Sequence, residues 1–336
     1  MNKNKRIVYL DILRIIAIIS VIGIHASVYF KDITNIRSIT WQSANVFDCL
    51  RFGVPIFFMI SGALFLNKEE FSTKDFYIKH IGKILLCYLI TSFFYARVYY
   101  TDLSIFNILF WKKVLKGYFH LWFCIVIIEI YLITQLLRRL IKNEKMTIYI
   151  VIYGIVFGVI LPTIYHKHID SFEIFVPIGY TTYYLIGYLL SKKNIHKLFR
   201  YIIYIVGVAC LIFTICSSNI ISFKINDEWR RVEYLNLNIV LISIAIFLFF
   251  KNLTIKTNDN QKTILEELYK LTMGVYLIHP LINDLLFSYG FYLWTIKYQF
   301  IGITIYIFFV YLISLIITKG IQKLIDYFKP LFKTDD

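Results

Sequence analysis

The run Val8-Tyr-Leu-Asp-Ile-Leu-Arg-Ile-Ile-Ala-Ile-Ile-Ser-Val-Ile-Gly-Ile-His25 decides the class of this chain. A membrane-spanning helix needs about 20 mostly apolar residues, and this stretch begins one while carrying an Asp, an Arg and a His. On a helix turning about 100° per residue, Arg14 and His25 return to nearly the same azimuth, roughly 16 Å apart along the axis. Asp11 sits three residues before Arg14 and so beside it on the helix surface. A charge at bilayer depth costs about 2.5–3.5 kcal/mol on insertion scales, so each such group is a functional hypothesis that needs a named partner.

Outside this run the composition agrees. Of 336 residues, 59% are hydrophobic and 18% aromatic, and the mean hydropathy is +0.67. Soluble domains average roughly 45–50% apolar, so the chain reads as an integral membrane protein. Thirty Phe and 27 Tyr suit lipid-facing surfaces and interfacial belts. The first run is long and has no small-residue cleavage site, so no leader is expected to be removed. The net charge is +15, but the cations fall in short clusters between apolar runs. That pattern belongs to membrane topology and argues against nucleic acid. Cys49, Cys87, Cys124, Cys210 and Cys216 are scattered, odd in number and without a C-x-x-C. They point to neither a disulfide framework nor a zinc site.

An all-α polytopic bundle follows, with ten spans expected near 7–30, 47–66, 80–100, 119–138, 147–165, 174–191, 199–219, 234–250, 271–289 and 297–318. They are expected to form one transmembrane domain over residues 1–336, with no soluble domain, long linker or internal repeat. The second and eighth spans are short. Residues 102–117, with Trp111, Lys112, Lys113 and Lys116, read as an amphipathic interfacial segment. With the N-terminus inside, inner segments outnumber outer ones in Lys and Arg by more than two to one. Both termini are therefore expected in the cytoplasm.

This topology sorts the polar residues by depth, and each admits a bland and a sharp reading. His25 is either a helix-end histidine at the headgroup level or a general base, because imidazole titrates near neutral pH. Arg14 is either neutralised structurally by Asp11 or waits for an anion entering from the cytoplasm. Arg51 pairs with Asp48 or faces a substrate. Lys79 and Lys83 snorkel to the inner surface or meet phosphate. His120, before Leu121-Trp122, belongs to an interfacial aromatic belt or to a site. Glu129 is a mid-span carboxylate that needs a partner and does not share a face with His120. His279 precedes Pro280, where its ring could satisfy a freed carbonyl, and Asp284 follows five residues on. His166 and His168 flank Lys167 in an outer loop and are read as solvated; no metal site is expected.

Several of these contexts together resemble the acyltransferase-3 family of bacterial membrane acyltransferases. The resemblance rests on Tyr9-Leu-Asp11 with Arg14 and His25, on Arg51-Phe-Gly-Val-Pro-Ile-Phe-Phe-Met-Ile-Ser61-Gly62, on His120-Leu-Trp-Phe123 and on Gly274-Val-Tyr-Leu-Ile-His279-Pro280. It implies a ten-helix multi-pass protein of the bacterial plasma membrane that takes an acyl group, usually acetyl, from cytoplasmic acyl-CoA. The acceptor it implies is a hydroxyl of a capsule, exopolysaccharide or other surface glycan, or of a lipid-linked saccharide. Carried over, His25 would be the catalytic base and Arg14 would contact acyl-CoA, with Lys79 and Lys83 at the nucleotide phosphates. Arg51, His120, Glu129 and His279 would lie on the substrate side. The third helix departs from the family pattern, with Lys79-His80-Ile-Gly-Lys83 in place of an arginine-rich pair and Cys87 where Pro is frequent. No permanently bound cofactor and no metal is implied; acetyl-CoA is a donor substrate. Some relatives carry a fused extracytoplasmic esterase-like domain. None is expected here, so transfer would be direct or through a separate protein, within a glycan-synthesis complex or a homo-oligomer. The competing class is a transporter or flippase of a surface-glycan precursor, whose intramembrane Arg, His and Glu would line a path. A third reading is a degenerate family member that serves as a membrane partner and binds no acyl-CoA.

Overall fold

A computed structural model describes residues 7–68, 72–165, 176–225, 232–255 and 257–328. Among them no strand forms, and the helices in chain order begin with α1 (Val8–Asp32), α2 (Ile39–Asp48), α3 (Gly53–Phe65) and α4 (Thr73–Tyr99). Next come α5 (Ile108–Lys116), α6 (Phe119–Leu140), α7 (Glu144–Ile164), α8 (Val176–Lys192) and α9 (Lys197–Ile225). The chain closes with α10 (Leu237–Asn252), α11 (Asp259–Ser288), α12 (Phe291–Ile296) and α13 (Gln299–Phe328). The protein is an all-α polytopic membrane protein. Eight segments among the described residues are long and apolar enough to cross a bilayer, with α2 and α3 counting together as Ile39–Phe65. The sixth and eighth expected spans fall on α8 and α10, which have 17 and 16 residues.

Several helices outrun the apolar windows that announced them. Helix α11 begins twelve residues before the expected span, where Asn258 and Gln261 form a capping box. Helix α4 likewise starts at a Ser72 cap. Their polar first turns are helical because they are capped, and hydropathy does not register caps. The second expected span instead starts earlier, at Ile39, and is broken between Asp48 and Gly53. Pro55 explains the break. It has no N–H to give the carbonyl four residues back, and it sits in the first turn of the new helix, where that N–H is not needed.

The chain divides into two compact units. One comprises Met1–Phe57, Ile195–Tyr234 and Asn238–Asp336, and the other comprises Phe58–Asn194 and Leu235–Leu237. In the first unit α1 packs against α2, α11 and α13. Three contacts fix its direction along α11. The Arg14 guanidinium lies 4.2 Å from the centre of the Tyr269 ring, the His25 and His279 rings are 5.2 Å apart, and the Tyr29 hydroxyl donates to the Asp284 carboxylate. Residue numbers rise together along both helices, so α1 and α11 are parallel. Helix α13 returns antiparallel to α11, with the Tyr306 hydroxyl donating to the Asn283 carbonyl at 3.0 Å and Lys319 2.9 Å from Glu267.

In the second unit α8 packs on α6 and α7, and α4 on α5 and α6. The amphipathic segment is seen as α5, which turns Phe110 and Val114 onto Ala96 and leaves Leu109, Trp111 and Leu115 exposed. Helix α3 crosses α8 backbone to backbone at two glycines. A methyl group on Gly62 would overlap the Tyr184 carbonyl, and one on Gly187 the Met59 carbonyl. Such close approach between apolar helices depends on small residues. Gly62→Leu is therefore expected to destabilise the protein by about 1–3 kcal/mol or more through overpacking. Gly320→Ala, where a methyl group meets nothing within 4 Å, should leave thermal unfolding in detergent unchanged or raise it.

Candidate active site

The first unit holds five of the residues singled out in the sequence: Asp11, Arg14, His25, Arg51 and His279. Helical periodicity places Arg14 and His25 on the side of α1 that meets α11. Arg14 is 16% exposed, and its Nη1 is 3.6 Å from the Asp11 carboxylate, an ion contact looser than a hydrogen-bonded fork. The Tyr269 ring supports one face of the guanidinium. Arg14 is thus held by a loose ion contact on one side and an aromatic face on the other.

Further along α1, His25 is half-buried and its ring is inclined 39° to that of His279. His279 is fully buried, and its Nδ1 lies 2.8 Å from the carbonyl oxygen of Tyr276. One turn beyond His25, Tyr29 bonds Asp284 and packs against Phe287, with ring centres 5.0 Å apart. Sequence reasoning noted Asp284 but missed Tyr29 and Tyr269. The signal available was spacing, since Tyr29 stands four residues after His25 on the same face of α1.

A second polar cluster ties the C-terminal end of α1 to the helix break. The Asp48 carboxylate accepts from Lys31 Nζ at 2.7 Å and from Arg51 Nη2, and Arg51 Nε donates to the Asp48 carbonyl at 3.0 Å. Lys31 lies over the Trp41 ring at 4.9 Å, and Arg51 over Tyr234 at 5.1 Å. All three charged residues are buried. Arg51 forms the ion pair with Asp48. Lys31 is the second partner of Asp48. No local spacing links Lys31 to Asp48, so the pairing was not legible.

The other four candidates lie in the second unit. His120 is buried and sits edge-on to Tyr95 and Tyr118, with ring centres 5.3 and 5.8 Å away. Burial pushes the Tyr118 phenol above its ordinary value, and neighbouring Tyr100 adds to the effect. The aromatic setting expected for His120 is therefore present. Lys79 lies in the π-helical turn Tyr77–Gly82 and Lys83 opens the regular helix after it; both are exposed. Glu129 is exposed on α6 and forms no ion pair among the described residues. His166, Lys167 and His168 lie outside the described residues. Among those described, no three His, Cys, Asp or Glu side chains gather as a metal would require.

The family model described as an acyltransferase domain matches residues 7–319, almost the whole chain. No curated protein and no solved structure matches.

The buried cluster has two cations for one carboxylate, and this sets the order of mutant effects. Asp48→Asn leaves both cations unbalanced and should cost about 3–5 kcal/mol. Lys31→Met leaves the Asp48–Arg51 pair intact and should cost less. Thermal unfolding of the detergent-purified variants measures the order, with Asp48→Asn melting lowest.

Proposed function

The chain belongs to the acyltransferase-3 family, and on that footing we propose that this membrane acyltransferase is an O-acetyltransferase. Its donor is cytoplasmic acetyl-CoA and its acceptor is a hydroxyl of a surface glycan or its lipid-linked precursor. The observation that supports this reading is the alignment of Arg14 and His25 on the face of α1 that meets α11. Family membership supplies the reaction class, and this face supplies an anion contact and a proton acceptor for it.

The bias of Lys and Arg toward the inner segments supports a cytoplasmic N-terminus. Arg14 then lies toward the donor side and His25 toward the acceptor side. The anionic part of the donor meets Arg14, and the extended pantetheine arm runs along α1 so that its thioester comes near His25. A spacing of roughly 16 Å along the helix suits an extended chain of that kind. His25 takes the proton of the acceptor hydroxyl as its oxygen attacks the thioester carbonyl. The new C–O ester bond forms, the C–S bond breaks, and the departing thiolate recovers the proton from the His25 imidazolium. Arg51, engaged by Asp48, fits a clamp at the helix break better than a group that moves during turnover.

In a host lacking its own copy, His25→Ala is expected to lower glycan O-acetyl content, read by NMR, by at least about a hundredfold. Acetyl-CoA should still raise the melting temperature of that variant, whereas Arg14→Ala should lose the stabilisation. Wild-type acetyl transfer by His25→Ala would overturn the role given to the histidine.

A further inference from the structure

On the C-terminal side of His25 stands a group of side chains that the proton transfer does not use. Tyr29 follows His25 by four residues, on the same face of α1 and about 6 Å further along the axis. Its hydroxyl donates to the Asp284 carboxylate of α11, and its ring centre is 5.0 Å from that of Phe287. Beyond the end of α11 at Ser288, Gly290 takes a φ of 75° and the chain turns into α12. Only glycine adopts that backbone freely. The turn brings Tyr292 back onto Phe287, with ring centres 4.4 Å apart and planes inclined by 22°. Tyr29, Asp284, Phe287 and Tyr292 are each half-buried, so all four can be reached from outside the unit.

These are the side-chain types that bind a sugar. A sugar ring carries hydroxyls around its rim and C–H bonds on its faces. The hydroxyls donate to a carboxylate, which has about four acceptor sites, and the bond from Tyr29 takes one of them. The C–H faces rest against the electron-rich faces of aromatic rings. A tie between two helices needs only a neutral acceptor. A carboxylate in a spanning helix adds the cost of a charge, and its hydrogen bonds are about twice as strong as neutral ones.

We propose that Tyr29, Asp284, Phe287 and Tyr292 form the subsite for the acceptor ring, with Asp284 as its specificity-determining residue. This rests on the reading of the chain as a glycan O-acetyltransferase with His25 as base. The offset of about 6 Å between His25 and Tyr29 is the span of a single sugar ring. One hydroxyl of the ring therefore stands at His25 while its neighbours donate to Asp284. The aromatic side chains support the ring face and Tyr29 holds the carboxylate in place. A negative charge at this point favours a neutral, hydroxyl-rich ring and disfavours a uronic acid, whose own carboxylate would be repelled.

The test uses the full-length protein in lipid nanodiscs with acetyl-CoA and the host's surface-glycan fraction, and reads thiol release as the glycan is varied. Asp284→Ala should raise the glycan concentration for half-maximal rate at least about tenfold, with KM for acetyl-CoA changed less than about twofold. Asp284→Asn still accepts from Tyr29, so it should fold as the wild type does and show a smaller rise. Tyr29→Phe removes the helix tie but keeps the carboxylate, and its glycan requirement should rise less than that of Asp284→Ala. NMR of the product should place the ester on a ring without a carboxylate. An unchanged glycan requirement in both Asp284 variants would overturn the assignment. So would a requirement that merely follows the fall in melting temperature across the three variants, as a purely structural tie would give, or an ester on a uronic acid ring. Wild-type protein that releases no thiol in the presence of glycan would instead remove the premise.

Discussion

The parallel contact between α1 and α11 is the interaction on which the rest depends. An apolar helix carrying an arginine and a histidine is costly in lipid, and its polar groups must be met by side chains from another helix. Helix α11 meets them in register: an aromatic face for Arg14, an imidazole for His25 and a carboxylate for Tyr29. Parallel neighbours in a bundle cannot be adjacent in sequence, because a short loop reverses direction. The pairing therefore joins the first long helix of the chain to one near its end, and α13 returns along α11 to close that side of the unit.

The ion cluster of Lys31, Asp48 and Arg51 serves the C-terminal end of the same helix. Pro55 disfavours a continuous helix through residues 49–52, and a break within apolar surroundings exposes carbonyls that need partners. The Ser20 hydroxyl donates to the Leu50 carbonyl, and Arg51 folds back onto the Asp48 carbonyl. Two residues of α1, Ser20 and Lys31, thus bracket His25 with contacts to the break. Buried ion pairs of this kind add little net stability but penalise any arrangement that separates them. The cluster is best understood as fixing where α1 lies against the break.

Much of this was legible in the sequence. The class of fold follows from run lengths that only a bilayer explains, and the shared azimuth of Arg14 and His25 from helical period alone. The His279–Pro280 pair was readable as a ring capping a freed carbonyl, and that bond forms. What sequence did not carry was partnership between distant helices. No local spacing marked Lys31 as a partner of Asp48, and nothing near Tyr269 or Tyr29 marked them as partners of Arg14 and Asp284. Helix ends were misplaced where caps rather than apolar residues extend them, as at Ser72 and Asn258. Positions such as Glu129 and Lys79 gained only a location. Both are exposed side chains.

The central claim is that the wild-type protein transfers acetyl groups rather than moving a glycan precursor across the membrane. Purified protein in lipid nanodiscs, given acetyl-CoA and the host's surface-glycan fraction, tests it directly by thiol release. The account predicts free CoA thiol that rises only when donor, glycan and protein are all present, with matching ester-linked acetyl on the glycan. Absence of both products, together with protein-dependent passage of a labelled lipid-linked saccharide across proteoliposome membranes, would contradict it.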